Sequence, residues 1–252
     1  VDVPFPFQYV DGRLEFTGKF GFGKRGIDWA KRTLSSKYSR EDLAAWAQVN
    51  LETFVVDIAR RFLKETGLRN MAVAGGVVAN VKLNQRLHEL PELDNLFVLP
   101  NMGDGGLGVG AICAEGGVAH QKVANVFWGE SYPDHAIEQE LKDAGLAYQK
   151  PAEIEKAVAD LLAEGSIVGR FAGRMEWGPR ALGNRSILVR TTDRKVVDRL
   201  NHLLRRSDFM PFAPAVIDED AEVYCVNPGP GRHAAEFMTV CFDCTDKMKK
   251  DH

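Results

Sequence analysis

Met71-Ala72-Val73-Ala74-Gly75-Gly76 and Leu96-Phe97-Val98-Leu99, the latter running into Asn101-Met102-Gly103-Asp104-Gly105-Gly106-Leu107-Gly108, decide the fold class of this chain. Each begins as a short apolar run of the kind buried in a sheet and then enters glycines. A helical pattern follows each one, the first carrying Leu83 and Leu87 and the second running through Ile112. Two successive strand-glycine-helix units predict a parallel α/β arrangement. Ligands in such sheets sit at the carboxyl ends of the strands, where both glycine loops fall.

On the N-terminal side, Ser39 and Asp42 form a capping-box pattern. Leu43, Ala47, Leu51, Phe54, Ile58 and Phe62 then recur at helical spacing until Gly67. That length, about seven turns, makes the predicted helix the spine of its domain. The residues before it alternate aromatic, glycine and basic types (Phe5, Phe7, Tyr9, Phe16, Phe20, Phe22) and read as short strands and turns. On the C-terminal side, Gly116, Gly117, Gly129 and Pro133 interrupt any long periodicity between Glu115 and Lys150. The expected division is therefore a first module over 1–120, a linker over 121–150 and a second module over 151–252.

The second module opens with a helix bearing Ile154, Val158, Leu161 and Leu162 that stops at Gly165, followed by a strand at Ile167 and Val168. Next comes Gly173-Arg174-Met175-Glu176-Trp177-Gly178-Pro179-Arg180-Ala181-Leu182-Gly183-Asn184-Arg185-Ser186-Ile187-Leu188, in which guanidiniums stand among glycines and a proline. A guanidinium is a permanent charge that resists burial without an anionic partner, and its planar fork pairs with phosphate or carboxylate oxygens. From Arg170 to Arg206, ten basic residues face three acidic ones, a local net charge of +7 in a chain that carries −3 overall. Concentrated charge of this kind marks a site rather than a surface that coats nucleic acid. Arg194, Lys195 and Arg199 read as the solvated face of a helix capped by Asp193 and carrying Val196, Val197, Leu200 and Leu203.

With 252 residues and 45% hydrophobic content the chain can bury one large or two ordinary cores. It contains no apolar run of bilayer length and no basic start followed by an apolar segment, so a cytoplasmic protein is expected. Its four cysteines are too few and too irregular for a disulfide framework. Cys241-Phe242-Asp243-Cys244 has CxxC spacing but falls in an expected strand, Phe237 to Phe242, without a second CxxC or a paired histidine. Small apolar packing residues are expected there. His88, His120, His135, His202 and His233 stand singly and read as ordinary histidines.

Glycine pairs after a strand, as at Gly75 and Gly76, let backbone N–H groups and a following helix face an anion, although tight turns alone also demand glycine. Asp104, flanked by glycines, is the better candidate for chemistry. A carboxylate there can ligate a divalent metal or accept a proton from a hydroxyl substrate. One carboxylate cannot hold a metal, and the chain offers no HxxxH or HExxH pair to assist it.

The segments Ala74 to Asn80, Asn101 to Gly108, Gly173 to Leu188 and Asp208-Phe209-Met210-Pro211-Phe212-Ala213-Pro214 occur in this order in the O-carbamoyltransferases of the nodulation-protein U and cephem carbamoyltransferase type. The chain resembles that family from about Ser39 to Asp246. The resemblance implies an α/β protein: part of an actin/Hsp70-like (ribonuclease H-like) ATPase lobe, followed by part of a carbamoyladenylate-forming α/β domain on a twisted sheet. It also implies that carbamoyl phosphate and ATP give carbamoyladenylate in the second module, and that the carbamoyl group passes to the hydroxyl of a small-molecule acceptor in the first. Gly75, Gly76, Asn80, Gly105 and Gly106 would hold the nucleotide. Arg174, Arg180, Asn184, Arg185 and Arg206 would bind carbamoyl phosphate and the ATP phosphates. Asp104 would ligate a divalent metal, iron or another transition metal or magnesium, whose remaining ligands lie outside this chain.

Full-length members of that family are about twice as long, with a histidine pair in the N-terminal lobe, so the chain is expected to be a fragment without activity of its own. A homodimer is compatible with the reading, and neither membrane nor nucleic acid is expected as a partner. Two other readings compete. An actin-fold small-molecule kinase or ATPase would need the glycine loops and Asp104 but not a second anion site. An RNA-binding module could use the arginine patch, but aromatics for base stacking are sparse there, only Phe171 and Trp177 before Phe209.

Overall fold

The computed structural model describes residues 7–11, 13–16, 18, 24–116, 121–190, 192, 194–206 and 212–251. It is a mixed α/β protein whose strands, among the described residues, form three two-stranded sheets. The N-terminal strands β1 (Phe7–Val10) and β2 (Arg13–Phe16) pair antiparallel, and a short helix, α1 (Lys24–Thr33), follows them.

Helix α2 (Arg40–Thr66) begins and ends where its cap residues dictate. The Ser39 hydroxyl oxygen accepts the Asp42 N–H at 3.0 Å. Gly67 takes a φ of +68° and returns its own N–H to the Leu63 carbonyl at 2.9 Å, a left-handed stop that glycine adopts without penalty. The buried face differs from the expected stripe. Ala59 and Leu63, with Val55 and Val56 beside them, enter the core, while Phe62 remains half exposed. The expected stripe serves a second contact instead, with Phe54 and Phe62 lying against the Phe7 and Tyr9 rings of the N-terminal hairpin. A helix with two apolar faces gives one blended periodicity in sequence, so the pattern alone could not say which face meets the larger core.

The two strand-glycine-helix units fold as expected. Strands β3 (Asn70–Val73) and β4 (Asn95–Val98) pair parallel, from Asn70 opposite Asn95 to Val73 opposite Val98. Helices α3 (Val81–His88) and α4 (Leu107–Glu115) follow them, each entered through a single 3₁₀ turn, Gly76–Ala79 and Asp104–Gly106. Leu87, Leu90, Leu93, Leu96, Val98 and Met102 pack with α2 into one apolar cluster. Each such side chain contributes roughly 1.5–3 kcal/mol when withdrawn from water.

Residues beyond 220 complete that cluster. Helices α5 (Asp134–Asp143), within the span read as a linker, and α6 (Ile154–Ala163) lead to β5 (Val168–Phe171) and β6 (Arg185–Leu188), an antiparallel pair, and then to α7 (Arg194–Leu203). The chain next passes through short helices α8 (Ala221–Tyr224) and α9 (Arg232–Ala235) to α10 (Asp246–Asp251). Ala234 and Val240 enter the α2/β3/β4 core, and the Asn84 amide of α3 donates to the Thr239 carbonyl at 2.6 Å. No strand forms over Phe237 to Phe242; Met238 takes a φ of +54°, which breaks extended pairing. The Asp193 cap and the first four residues of the segment from Asp208 to Pro214 lie outside the described residues.

His88, at the end of α3, is 2% exposed, and neither ring nitrogen has a hydrogen-bond partner among the described residues. Its ring meets the edge of Phe242 at 4.9 Å. Burial lowers its pKa, opposed by the nearby carboxylates of Glu89 and Asp243. The imidazole is therefore held neutral in the fold but charges freely in the unfolded chain. Its contribution to stability is complete above the ordinary histidine pKa and is lost as pH falls below it. Thermal melts should show Tm dropping between about pH 7.5 and about pH 5.5, and His88→Phe should reduce that drop by removing the titrating group while keeping the ring against Phe242.

Candidate functional site

The arginine-rich segment is the connection of the β5–β6 hairpin, and its shape is set by an acid. Glu176 is 8% exposed, and its Oε1 accepts the backbone N–H groups of Leu182 at 2.8 Å, Asn184 at 2.8 Å and Arg185 at 3.2 Å. Burial pushes the carboxyl pKa up, but these N–H donors together with the residue's own outweigh it and hold the group below the usual carboxylate range. The loop thereby folds around a carboxylate. Gly173, Gly178 and Gly183 take φ values of +60°, +126° and +110°, turns open to glycine that other residues rarely adopt.

With Glu176 facing backbone, the guanidiniums are held by carbonyls instead of carboxylates. Arg174 donates from Nε to the Gly129 carbonyl at 2.7 Å and from an Nη to Trp128 at 3.1 Å. Arg185 donates to the carbonyls of Ala172 at 3.0 Å, Asn184 at 2.9 Å and Gly173 at 3.3 Å, and its guanidinium lies 3.5 Å from the Phe171 ring centroid. Asn184 donates its amide to the Arg174 carbonyl at 2.8 Å. Among the described residues no ion pair neutralises Arg170, Arg174, Arg180 or Arg185. Neutral carbonyls orient a cation without cancelling its charge, so the loop presents net positive potential.

The loop also docks on two other parts of the chain. Phe127 bridges to Glu176, the Trp177 N–H reaches the Val126 carbonyl at 2.7 Å, and Trp128 stacks on Trp177 with centroids 4.8 Å apart. Toward the β3/β4 sheet, Arg180 donates to the Ala79 carbonyl at 3.2 Å, at the end of the 3₁₀ turn that begins at Gly76. A Cβ on Gly178 would stand 3.2 Å from the Pro100 carbonyl oxygen. The segments singled out at 74–80, 101–108 and 173–188 thus meet in space. Among the described residues Arg180 Nε is buried with no partner, a donor left over at this junction.

The expected nucleotide residues divide by structure. Gly75, with a φ of +110°, donates its N–H to the Met102 carbonyl at 2.6 Å and so ties the two glycine loops together. Both Gly75 and Gly76 are exposed, and a Cβ on either would meet nothing within 4 Å, so the turn is open to close approach. Asn80 is engaged elsewhere: its side-chain oxygen caps α3 at Leu83 N–H, 3.1 Å away, and its amide donates to Gln48 at 2.7 Å. Gly105 and Gly106 pack on Asn101, whose side chain or carbonyl a Cβ would strike. Asp104 is exposed at the start of its turn. No three His, Cys, Asp or Glu side chains converge as a metal site among the described residues. Arg206 follows α7 with its guanidinium 4.6 Å from the Phe212 ring, and no hydrogen bond joins it to the arginine loop among the described residues. Sequence reasoning missed Glu176 and the 126–129 segment. The available signal was a single acid inside a glycine- and arginine-rich turn.

Comparison with known proteins matches residues 22–113 to the carbamoyltransferase N-terminus and residues 159–252 to the carbamoyltransferase C-terminus. The chain belongs to the carbamoyltransferase family. It is 32% identical over 209 residues to nodulation protein NolNO of Sinorhizobium fredii, covering 79% of this chain and 31% of that one. It is 34% identical over 223 residues to nodulation protein NolO of Bradyrhizobium diazoefficiens, covering 85% and 40%, and 35% identical over 184 residues to a nodulation protein U of S. fredii, covering 72% and 32%. The chain thus spans between 31% and 42% of the length of the first curated relatives it matches. No helix among the described residues is long and apolar enough to cross a membrane.

Truncating Glu176 should collapse the loop. Glu176→Ala leaves three backbone donors unmatched and should cost about 3 kcal/mol in denaturant unfolding, whereas Glu176→Gln, which keeps an acceptor oxygen, should cost less. Equal stability of wild type and Glu176→Ala would show that the carboxylate does not hold the loop.

Proposed function

We propose that the protein forms carbamoyladenylate from carbamoyl phosphate and ATP and transfers the carbamoyl group to a hydroxyl of a small-molecule acceptor. The observation that supports it is the uncompensated positive loop at 173–185, built around Glu176 and seated against the open turn at Gly75 and Gly76. Forming a carbamoyl–AMP bond requires two phosphorylated substrates to approach one another, and their combined negative charge needs fixed cations that do not reorganise during reaction.

In this reading Arg180 is the principal anion ligand. It has donors beyond the one given to Ala79, and its Nε is already stripped of water. Arg174 and Arg185 hold the loop in shape and present their remaining N–H groups and charge to the phosphates, with Asn184 as the brace between them. Gly75 and Gly76 give room for the adenylate phosphate. Arg206 remains a candidate for the same anions by way of its family segment. Carbamoyl phosphate, ATP and water give carbamoyladenylate, pyrophosphate and phosphate. The acceptor hydroxyl then attacks the carbamoyl carbon, its proton passes to a base, and AMP leaves. Asp104, exposed at the carboxyl end of β4, is placed in the transfer step as that base or as one ligand of a metal completed by residues outside the chain. The first module is read as the actin/Hsp70-like lobe that houses transfer, and the second as the adenylate-forming module.

The test uses protein expressed from its full open reading frame. Pyrophosphate release from ATP should require carbamoyl phosphate; release indifferent to carbamoyl phosphate would defeat the proposal. Arg180→Ala should lower that release by at least about a hundredfold with a smaller loss of Tm than Arg185→Ala, because it gives up the single carbonyl contact to Ala79. Arg185→Ala should abolish it and also lower Tm, because its carbonyl partners are released. Asp104→Ala should spare pyrophosphate release and block carbamoyl transfer. Loss of both steps in all three variants would remove the division of labour.

A further inference from the structure

The CxxC spacing of Cys241 and Cys244 suggests a pair, but the fold gives each cysteine a different neighbour. Cys241 turns its Sγ to α3, 3.4 Å from both the Val81 carbonyl and the Gln85 side-chain oxygen. Cys244 instead faces Cys225 across a short antiparallel bridge. The flanking bonds run from Val226 N–H to the Asp243 carbonyl at 2.9 Å and from Thr245 N–H to the Tyr224 carbonyl at 3.0 Å. Bonds on either side, with none between them, make Cys225 and Cys244 a non-hydrogen-bonded cross-strand pair. In such pairs the Cα atoms approach to about 4.5 Å, inside the roughly 4.4–6.8 Å that a disulfide spans. Both thiols are free, Cys244 exposed and Cys225 partly buried.

We propose that Cys225 and Cys244 are an oxidisable dithiol that closes into a disulfide by exchange with a low-molecular-weight disulfide. The exposed Cys244, as thiolate, attacks one sulfur of the small disulfide, forming a mixed disulfide and expelling one thiolate. The Cys225 thiolate then attacks Cys244 Sγ and expels the second. The two protein thiols are oxidised, the small disulfide is reduced to two thiols, and the two protons given up by the cysteines go to the two departing thiolates. Burial pushes the Cys225 thiol up, so the exposed Cys244 is the thiol that meets the small disulfide first, and Cys225 attacks only from its place directly across the bridge.

Closure would tether both ends of the strap from 225 to 244. That strap carries Ala234 and Val240 into the main core and offers the Thr239 carbonyl to Asn84, whose amide also donates to the Val78 carbonyl at 2.8 Å in the first glycine turn. The strap and the turn bearing Gly76 share one side chain, so a locked strap stiffens the base of the candidate site. The inference stands independently of which reaction that site performs.

The test incubates the protein from its full reading frame with oxidised glutathione, alkylates the remaining thiols and maps tryptic peptides by mass spectrometry without reduction. Cleavage after Arg206, Arg232 and Lys247 separates Cys225, in 207–232, from Cys241 and Cys244, in 233–247. A cross-link between these peptides is expected, kept in Cys241→Ser and Cys113→Ser and lost in Cys225→Ser and Cys244→Ser. Oxidation should raise Tm by on the order of 5 °C in wild type and not in the last two variants. Peptide 233–247 lighter by two hydrogens would mean a Cys241–Cys244 bond and overturn the proposal. So would glutathione retained on Cys244 with Cys225 still alkylated, dimers linked through Cys113, or no oxidation at all.

Discussion

Three backbone N–H groups converge on one carboxylate oxygen of Glu176, and the geometry of the site follows from that convergence. A buried carboxylate tolerates desolvation only when its charge is met, and here peptide dipoles meet it instead of an arginine. The consequence runs through the loop. The arginines must find their orienting partners among carbonyls, which fix their directions while leaving their charge for something from outside. Had Glu176 paired with Arg174 or Arg185, that arginine's charge would have been cancelled locally and the three backbone N–H groups left to find other acceptors.

The loop is also held against the turns that follow β3 and β4. Parallel pairing of β3 and β4 sets their two glycine turns side by side, and the bond from Gly75 N–H to the Met102 carbonyl joins them. Gly105 and Gly106 allow that turn to close on Asn101, and Gly178 permits the arginine loop to approach the neighbouring Pro100. These glycines therefore act by what they omit. Gly76, by contrast, stands in open space, and the position has room for a ligand to approach the backbone.

The core that supports this arrangement is assembled from both ends of the sequence. Ala59 and Leu63 come from α2, Leu96 and Val98 from β4, and Ala234 and Val240 from a strap more than a hundred residues downstream. Closing so long a loop costs only a little more entropy than closing a short one, so distance along the chain is a weak barrier to such packing. The strap is fastened by polar contacts as well, with Asn84 reaching Thr239 and Gln85 reaching Asp243.

Local chemistry was legible from the residues. Ser39 and Gly67 delimit α2 because a cap hydroxyl and a left-handed glycine act within one turn of the chain, and the two strand-glycine-helix units declare themselves by patterns a few residues long. The four segments shared with the carbamoyltransferase family, and hence the family itself, were readable in the same way. Contact across the fold decided the rest. Which apolar face of α2 meets the larger core, whether Asn80 is free or committed to Gln48, what Glu176 holds, and that Cys244 opposes Cys225 instead of Cys241 all depend on groups far apart in sequence. A periodicity or motif records what a residue can do with its near neighbours. Only the folded chain determines which distant donor, acceptor or apolar surface claims it first.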